Sequence, residues 1–107
     1  MGAKFEKYTD EAGEYRFRYY GNSGGQILRS EGYVRTSGRD NGIRSVKDNA
    51  PYDSTYDLKM SADYRYYFNM VASNTEIIAT SMLYSSTTDR AEAISDVKVY
   101  APSAPIT

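Results

Sequence analysis

Apolar and polar residues alternate in six short stretches of the chain, and each stretch predicts a β-strand. The clearest, residues 15–19, alternates aromatic residues with arginine, which places the two kinds of side chain on opposite faces of a strand. The same reasoning assigns strands to residues 4–8, 26–30, 56–60, 64–71 and 77–82. Polar turns that contain glycine, at 10–13 and 22–25, join the first three strands into a meander.

A helical period follows each group of three strands. In the first half, Ile43, Val46 and Ala50 fall three to seven positions apart, which predicts a helix with one apolar stripe facing the sheet. Thr36 or Ser37 would cap that helix at its N-terminus.

A second helix is predicted in the corresponding part of the second half. Ile94 and Val97 continue its apolar stripe. Thr88 or Asp89 would cap it, and Glu92 lies three residues after Asp89, where it would complete a capping box.

The two halves are an internal repeat. A shift of 51 residues aligns them without a gap, so that Phe17 falls on Phe68 and Tyr33 on Tyr84. A repeat at a fixed period predicts a repeated structural unit. We therefore predict one α+β domain, residues 1–107, built of two β-β-β-α units at about 4–51 and 55–102. The units would form one antiparallel sheet with two helices on one face, and residues 103–107 would be a flexible tail.

Composition removes most kinds of catalytic site. The 107 residues include no His and no Cys, so the commonest general base, the commonest metal ligand and the cysteine nucleophile are all missing. Carboxylates such as Glu31 stand without a partner at a spacing that would specify a reaction. We therefore predict that the protein is not an enzyme, has no catalytic residue and holds no cofactor or metal.

Charge and hydropathy limit the partners. The formal net charge is −1, too small to steer a polyanion at physiological salt. No stretch approaches the roughly 18 apolar residues that a membrane span needs, and the first residues carry no apolar signal core. We expect a cytoplasmic protein without membrane contact.

One face of the predicted sheet mixes arginine with aromatic side chains. The residues opposite the core-facing ones are Arg16, Arg18, Tyr20, Arg65, Tyr67 and Asn69. Such a surface suits a macromolecular partner or a homodimer, and it can also stack bases and hold phosphates. We predict a protein-interaction or self-association module, with weak binding of single-stranded nucleic acid as the alternative.

A short motif in the first repeat resembles the signature of the YegP-like family of small bacterial proteins. The motif comprises Ser30, Glu31, Gly32 and Tyr33 and, eight positions after the tyrosine, Asn41, Gly42 and Ile43. The second repeat matches it less well, with Met82-Leu83 and Glu92-Ala93 in the variable places. The resemblance implies a tandem of three-strand-then-helix units in one continuous sheet, with strands exchanged between the repeats. It implies no assigned activity, cofactor or substrate.

Two readings of the motif remain open at this point. Gly42 either permits close packing between helix and sheet, which we favour, or exposes a backbone contact site. Clustering of Glu31, Tyr33 and Asn41 around a concavity would favour a ligand site, and their dispersal would oppose one.

Overall fold

Six β-strands and two α-helices occur in residues 2–107, the part of the chain that this computed structural model describes. In chain order the elements are β1 (Lys4–Thr9), β2 (Tyr15–Tyr20), β3 (Gln26–Ser30), α1 (Thr36–Asn49), β4 (Tyr56–Met60), β5 (Tyr66–Val71), β6 (Ile77–Ser81) and α2 (Thr87–Tyr100). Short 3₁₀ turns at Asp53–Thr55 and Ala101–Ser103 follow the two helices. The order confirms the predicted α+β fold with its two β-β-β-α units, which we call copy one and copy two.

All six strands form one antiparallel sheet in the order β1-β2-β3-β6-β5-β4. The three strands of each copy are neighbours, so the expected exchange of strands between repeats is wrong. The physical reason is the short turns: the Gly13 N–H donates to Asp10, and the Gly21 N–H to Gly25. Turns this tight oblige consecutive strands to pair with each other.

The copies meet where β3 pairs with β6. Leu28 lies opposite Ser81, Arg29 opposite Thr80 and Ser30 opposite Ala79. Arg29 and Thr80 are equivalent positions under the 51-residue shift, so a pseudo-twofold axis passes between them. The same backbone arrangement is thereby presented twice, once on each side of this axis.

Each copy has a β-bulge at an isoleucine. Tyr19 pairs with Leu28 but Tyr20 pairs with Gln26, which leaves Ile27 as the extra residue. The equivalent Ile78 is the extra residue in copy two. Because a bulge turns two successive side chains toward the same face, both Ile27 and Leu28 are buried.

The core lies between the helices and one face of the sheet, which we call the helix face. Phe5, Phe17, Tyr19, Leu28, Ile43, Val46, Phe68, Met70 and Val97 are its largest side chains with almost no exposed surface. The ring of Phe5 lies 5.0 Å from that of Tyr19 and 5.9 Å from that of Phe17, centre to centre. The predicted alternation in β2 and β5 and the predicted stripes of both helices are confirmed. None of the helices in residues 2–107 is long and apolar enough to cross a membrane.

A partly buried hydrogen bond connects the copies across the helix face. The Tyr19 hydroxyl of β2 donates to Oδ1 of Asp96 in α2 at 2.7 Å, and the Asn22 N–H donates to its Oδ2 at 2.8 Å. Burial, with this hydrogen bond second, raises the pKa of Tyr19. The bond links β2 of copy one to α2 of copy two.

The helix caps differ from the predicted ones. α2 is capped by Ser86, whose Oγ accepts a hydrogen bond from the Asp89 N–H at 3.0 Å, so Asp89 stands at the third helical position. The N-cap residue of α1 is Arg35, which makes no side-chain capping bond. Each helix begins earlier than expected because Thr36 and Thr87 already adopt helical geometry.

The C-terminal residues also differ from the expected flexible tail. The Phe5 N–H donates to Pro105, and the Thr107 N–H donates back to Phe5, both at 2.8 Å. Ala104 is buried, and its carbonyl accepts from Lys47 Nζ at 2.6 Å. The segment therefore runs parallel to β1 and covers its edge. It supplies hydrogen-bond partners for the outward-facing backbone groups of Phe5 and Lys7.

Candidate interaction face

The face of the sheet away from the helices, which we call the open face, carries a polar row across all six strands. Directly opposite residues in an antiparallel sheet share a face. Following the register from β1 to β4, this central row reads Glu6, Arg18, Arg29, Thr80, Asn69 and Asp57. Copy one supplies both arginines, whereas copy two has Asn69 and Thr80 at the equivalent positions.

Arg18 is held by two neighbours on β1. Its Nη1 donates to Glu6 Oε1 at 3.1 Å. Its guanidinium carbon lies 3.8 Å from the centre of the Tyr8 ring, close enough for a cation–π contact. Arg18 is therefore fixed in orientation, and it covers one side of the Tyr8 ring.

Arg16 is held by the turn that precedes β2. Its Nε donates to Asp10 Oδ2 at 2.6 Å, and its Nη1 donates to the Ser30 carbonyl at 3.1 Å. The hydrogen bond from Arg16 to Asp10 is the largest cause of a lowered pKa for the Asp10 carboxyl. Arg16 thus serves the hairpin and is not free for a partner.

Arg29 differs from both. Its side chain is exposed at the centre of the sheet and lies directly opposite Arg18. Within residues 2–107 no carboxylate approaches it to within 4.0 Å. Like charges opposite each other in a sheet repel, so the pair leaves an uncompensated positive charge in the middle of the open face.

Only some residues of the predicted face are exposed on the open face as expected. Tyr20 and Tyr67 are half-buried in strands whose register places them on the open face. Asn69 lies on this face but is 8% exposed, because it accepts a hydrogen bond from Thr80 Oγ1 at 2.9 Å. Arg65 precedes β5 and bonds Asp63 in the turn at 2.9 Å. Neither Asn69 nor Arg65 is placed to contact a partner from the central row.

Sequence reasoning missed three residues of the site, Glu6, Tyr8 and Arg29. The first two lie on the edge strand β1, where alternation alone would have placed them on this face. Arg29 follows the bulge at Ile27, which breaks the alternation of β3. Tyr8 and Arg29, but not Glu6, line a shallow depression of about 610 Å³. Its other lining residues are Thr9, Asp10, Glu11, Ala12, Arg16 and Arg18.

Two serines of the repeat have a structural role. Ser30 Oγ accepts from the Phe17 N–H at 2.9 Å and donates to the Glu31 carbonyl at 2.8 Å. Ser81 makes the same two bonds, with Phe68 and Met82, at the same lengths. A buried backbone N–H is satisfied in each copy, which explains why this residue type is shared.

The glycines of the family-like motif allow close packing. A Cβ at Gly42 would lie 2.6 Å from the Tyr33 hydroxyl and 3.1 Å from Phe17. A Cβ at Gly32 would lie 2.3 Å from Glu14 Oε1. Ile43, next to Gly42, is buried in the core. The contacts at Gly42 agree with the packing interpretation.

The remaining motif residues do not converge on a concave site. Glu31 and Asn41 are exposed, and Tyr33 is half-buried beneath α1. None of the three lines any of the five clearest depressions in residues 2–107. The same part of the chain brings no three carboxylates together in a way that could hold a metal ion. What the copy-one half of the open face offers chemically is the exposed guanidinium of Arg29, with no carboxylate of residues 2–107 beside it.

The chain is similar to proteins of one family over nearly its whole length. A family model described as a domain of unknown function, DUF1508, matches residues 10–57 and again 61–107. A UPF0339 protein in the ptx operon 5′ region of Stutzerimonas stutzeri is 45% identical over 106 residues, covering 99% of this chain and 96% of its own. The UPF0339 protein YegP of Escherichia coli K12 is 33% identical over 98 residues, covering 92% and 89%.

Solved structures show the same fold. The solution NMR structure of a UPF0339 protein from Shewanella oneidensis matches with a TM-score of 0.93 at 34% identity, covering 100% of this chain and 91% of that one. The NMR structure of E. coli yegP, described as a protein of unknown function, also gives 0.93, at 31% identity, with 100% and 92% covered. From the two tandem matches and these relatives, the chain belongs to the UPF0339, or YegP-like, family, whose function is unknown.

Proposed function

We propose that the chain is a non-enzymatic binding module of the cytoplasm, and that the copy-one half of its open face binds an acidic segment of a partner protein. The observation that carries the proposal is Arg29. An exposed guanidinium without a carboxylate, opposite a second guanidinium, costs folding free energy through repulsion. A carboxylate of a partner would relieve that repulsion and form a charge-assisted hydrogen bond.

The surroundings of Arg29 favour a short acidic segment over a long polyanion. Glu6 and Asp10 already compensate Arg18 and Arg16 at 3.1 and 2.6 Å. The net charge is −1, so the attraction is local to the centre of the sheet. One or two carboxylates, as in an acidic peptide, match that local charge.

Single-stranded nucleic acid is the second candidate, and the tyrosines favour it. Tyr20 and Tyr67 share the open face with the arginines by register, and aromatic rings can stack bases. However, the Arg18 guanidinium covers one side of Tyr8, which removes that ring side as a stacking platform. For this reason the acidic protein segment ranks first.

The test uses two fluorescent probes, an oligoglutamate peptide and an oligothymidylate, with anisotropy measured at low and high salt. Arg29→Gln should weaken peptide binding about tenfold, equivalent to about 1.4 kcal/mol. Thr80→Ala changes the equivalent residue in copy two and is the matched control, which should bind like the wild type. Substituting Arg29 avoids leaving Glu6 or Asp10 unpaired, as changes at Arg18 or Arg16 would.

The outcomes separate the candidates. Tighter binding of the oligothymidylate, with a salt dependence that Arg29→Gln reduces, would replace the proposal with the nucleic-acid one. If the peptide binds equally to wild type and Arg29→Gln, or fails to bind either, the proposal is wrong.

A further inference from the structure

The two outer edges of the sheet differ in what lies beside them. The edge of β1 is covered by the C-terminal segment through hydrogen bonds at Phe5 and Lys7. The edge of β4 has no such segment beside it anywhere in residues 2–107. Unpaired strand edges attract other strands, and proteins usually protect them with charge.

On the helix face, the charged side chain lies at the covered edge and the apolar side chains lie at the uncovered edge, which is the opposite of that protective pattern. Copy one has Lys7 and Thr9 at its covered edge. Copy two has Leu58 and Met60 at the equivalent positions, and each is 54% exposed. Leu58 also borders a depression of about 410 Å³ between β4 and α2, together with Tyr56 and Ile94. An apolar uncovered edge indicates a surface that is buried in a complex.

The backbone groups that β4 presents can be assigned from its pairing. The Ser61 N–H donates to Arg65, so in the alternating antiparallel pattern Asp57 and Lys59 bond β5 while Leu58 and Met60 point outward. The Tyr56 N–H also points outward, but it already donates to Asp53. Its counterpart in copy one, the Phe5 N–H, is the group that binds the C-terminal segment. A parallel strand of that kind would therefore lose its first bond on β4.

An antiparallel strand centred on Leu58 keeps four backbone bonds. With Leu58 opposite Leu58 of a second copy, the two residues exchange both of their backbone bonds. The Met60 N–H of each copy then reaches the Tyr56 carbonyl of the other, whereas the Tyr56 N–H keeps its bond to Asp53 and the opposing Met60 carbonyl is left to water. The apolar side chains of the two edges cover each other on the helix face.

Charge on the open face agrees with the same register. Asp57 and Lys59 are exposed and lie 3.3 Å apart at their charged atoms. About a twofold axis at Leu58, Asp57 of each copy stands opposite Lys59 of the other, which makes two complementary pairs. We propose that β4 is the self-association edge of this protein, where two copies join antiparallel about Leu58 into one continuous twelve-stranded sheet.

This inference concerns a different surface from the proposed function and is tested by molecular mass. Analytical ultracentrifugation over a wide range of concentration should show wild-type mass rising from 12.1 kDa toward twice that value. Asp57→Lys and Lys59→Asp each place like charges opposite one another and should each remain at the mass of one chain. Lys4→Asp, the same charge change on the covered strand β1, is the matched control and should behave like the wild type.

Restoration of the charge pattern makes the test specific. The double variant Asp57→Lys/Lys59→Asp should associate again, and an equimolar mixture of the two single variants should form a mixed dimer. Circular dichroism of each variant checks that it is folded. Amide exchange at Leu58 and Met60 should slow with rising concentration in the wild type.

Three outcomes would overturn the inference. The first is a wild-type mass of one chain at every concentration. The second is association that both single charge variants retain. The third is association that is lost on removing residues 104–107 but survives the charge changes, which would indicate exchange of the C-terminal segment. Arg29→Gln should leave the mass unchanged, so the two proposals fail separately.

Discussion

Copy one and copy two agree where the fold needs them to agree. Ser30 and Ser81 make the same pair of hydrogen bonds. Phe17 and Phe68 are both fully buried, and in each copy the next strand carries the same bulge. Identity between the copies therefore marks structural residues, and function has to be sought where they differ.

The differences fall on two surfaces. On the open face, copy one has Arg18 and Arg29 where copy two has Asn69 and Thr80. At the outer edges, copy one has Lys7 beneath a covering segment where copy two has an exposed Leu58. A duplicated fold can thus present one charged face and one apolar edge while both copies keep the same order of strands and helix.

The largest effect is expected from substitutions in the core that both copies share. Phe17→Ala and Phe68→Ala should each lower the free energy of unfolding by about 3–5 kcal/mol, because both rings have no exposed surface and leave a cavity. Urea denaturation measures the effect. Val34→Ala, at a side chain that is 85% exposed, is the control and should change little. A much smaller loss for Phe68 than for Phe17 would mean that copy two is loosely packed.

Alkaline pH should expose a second difference, because each copy buries one tyrosine that the other lacks. Tyr19 stands where copy two has Met70, and Tyr56 where copy one has Phe5. Burial is the largest cause of a raised pKa in both, with the Asp96 hydrogen bond next for Tyr19 and the charge of Asp53 next for Tyr56.

The direction follows from the raised values. The unfolded chain releases these protons near pH 10, whereas the folded chain retains them to higher pH. Stability from these groups is therefore complete below about pH 10 and falls above it by about 1.4 kcal/mol per pH unit for each tyrosine. Tyr56→Phe and Tyr19→Phe should each make urea unfolding less sensitive to alkaline pH. Tyr52→Phe, at a side chain that is 62% exposed, is the control. Equal slopes in all four proteins would contradict the assignment.

The smallest expected effect comes from the turns, where equivalent residues of the two copies have different side chains but the same backbone conformation. Gly13 and Gly24 adopt positive φ angles of 85° and 102°, and at the equivalent positions copy two has Tyr64 at 64° and Thr75 at 67°. A left-handed conformation costs a non-glycine residue about 1–2 kcal/mol. Tyr64→Gly and Thr75→Gly should therefore each stabilise the protein by about 1 kcal/mol in urea denaturation, after the greater freedom of glycine in the unfolded chain is counted.

The reverse change completes that test. Gly13→Ala should destabilise by about the same amount, although no atom lies within 4 Å of the added Cβ. Gly25→Ala, in equally open space but without a positive φ, should not destabilise. Loss of stability on Tyr64→Gly would show that contacts of the tyrosine outweigh its backbone strain.

Most of the fold was predictable because alternation reports which side of a strand is buried. Phe17 and Phe68 were placed correctly for that reason, and the shift of 51 residues showed that the same unit occurs twice. The caps were harder, since Ser85, Ser86, Thr87 and Thr88 form a run of four residues that can all cap a helix. Only the backbone geometry selects Ser86 among them.

The site was less predictable because it depends on neighbours from other strands. The alternation of β5 assigns Asn69 to the exposed face. In the structure Thr80 of β6 donates a hydrogen bond to it, and little of its side chain is accessible. Arg29 is central only because the bulge at Ile27 shifts the register of β3. The bond from Tyr19 to Asp96 spans 77 residues, a separation at which local patterns carry no information.

The junction between β3 and β6 has a further consequence. It pairs three residues of each strand, fewer than the six pairs of β1 with β2 or the five pairs of β4 with β5. Residues 50–55 tether the two units, and a short tether holds linked partners at an effective concentration of about millimolar. Closure of the sheet is therefore an intramolecular event. A proteolytic cut in that tether would turn it into a bimolecular association, and the integrity of the domain would then depend on how dilute the protein is.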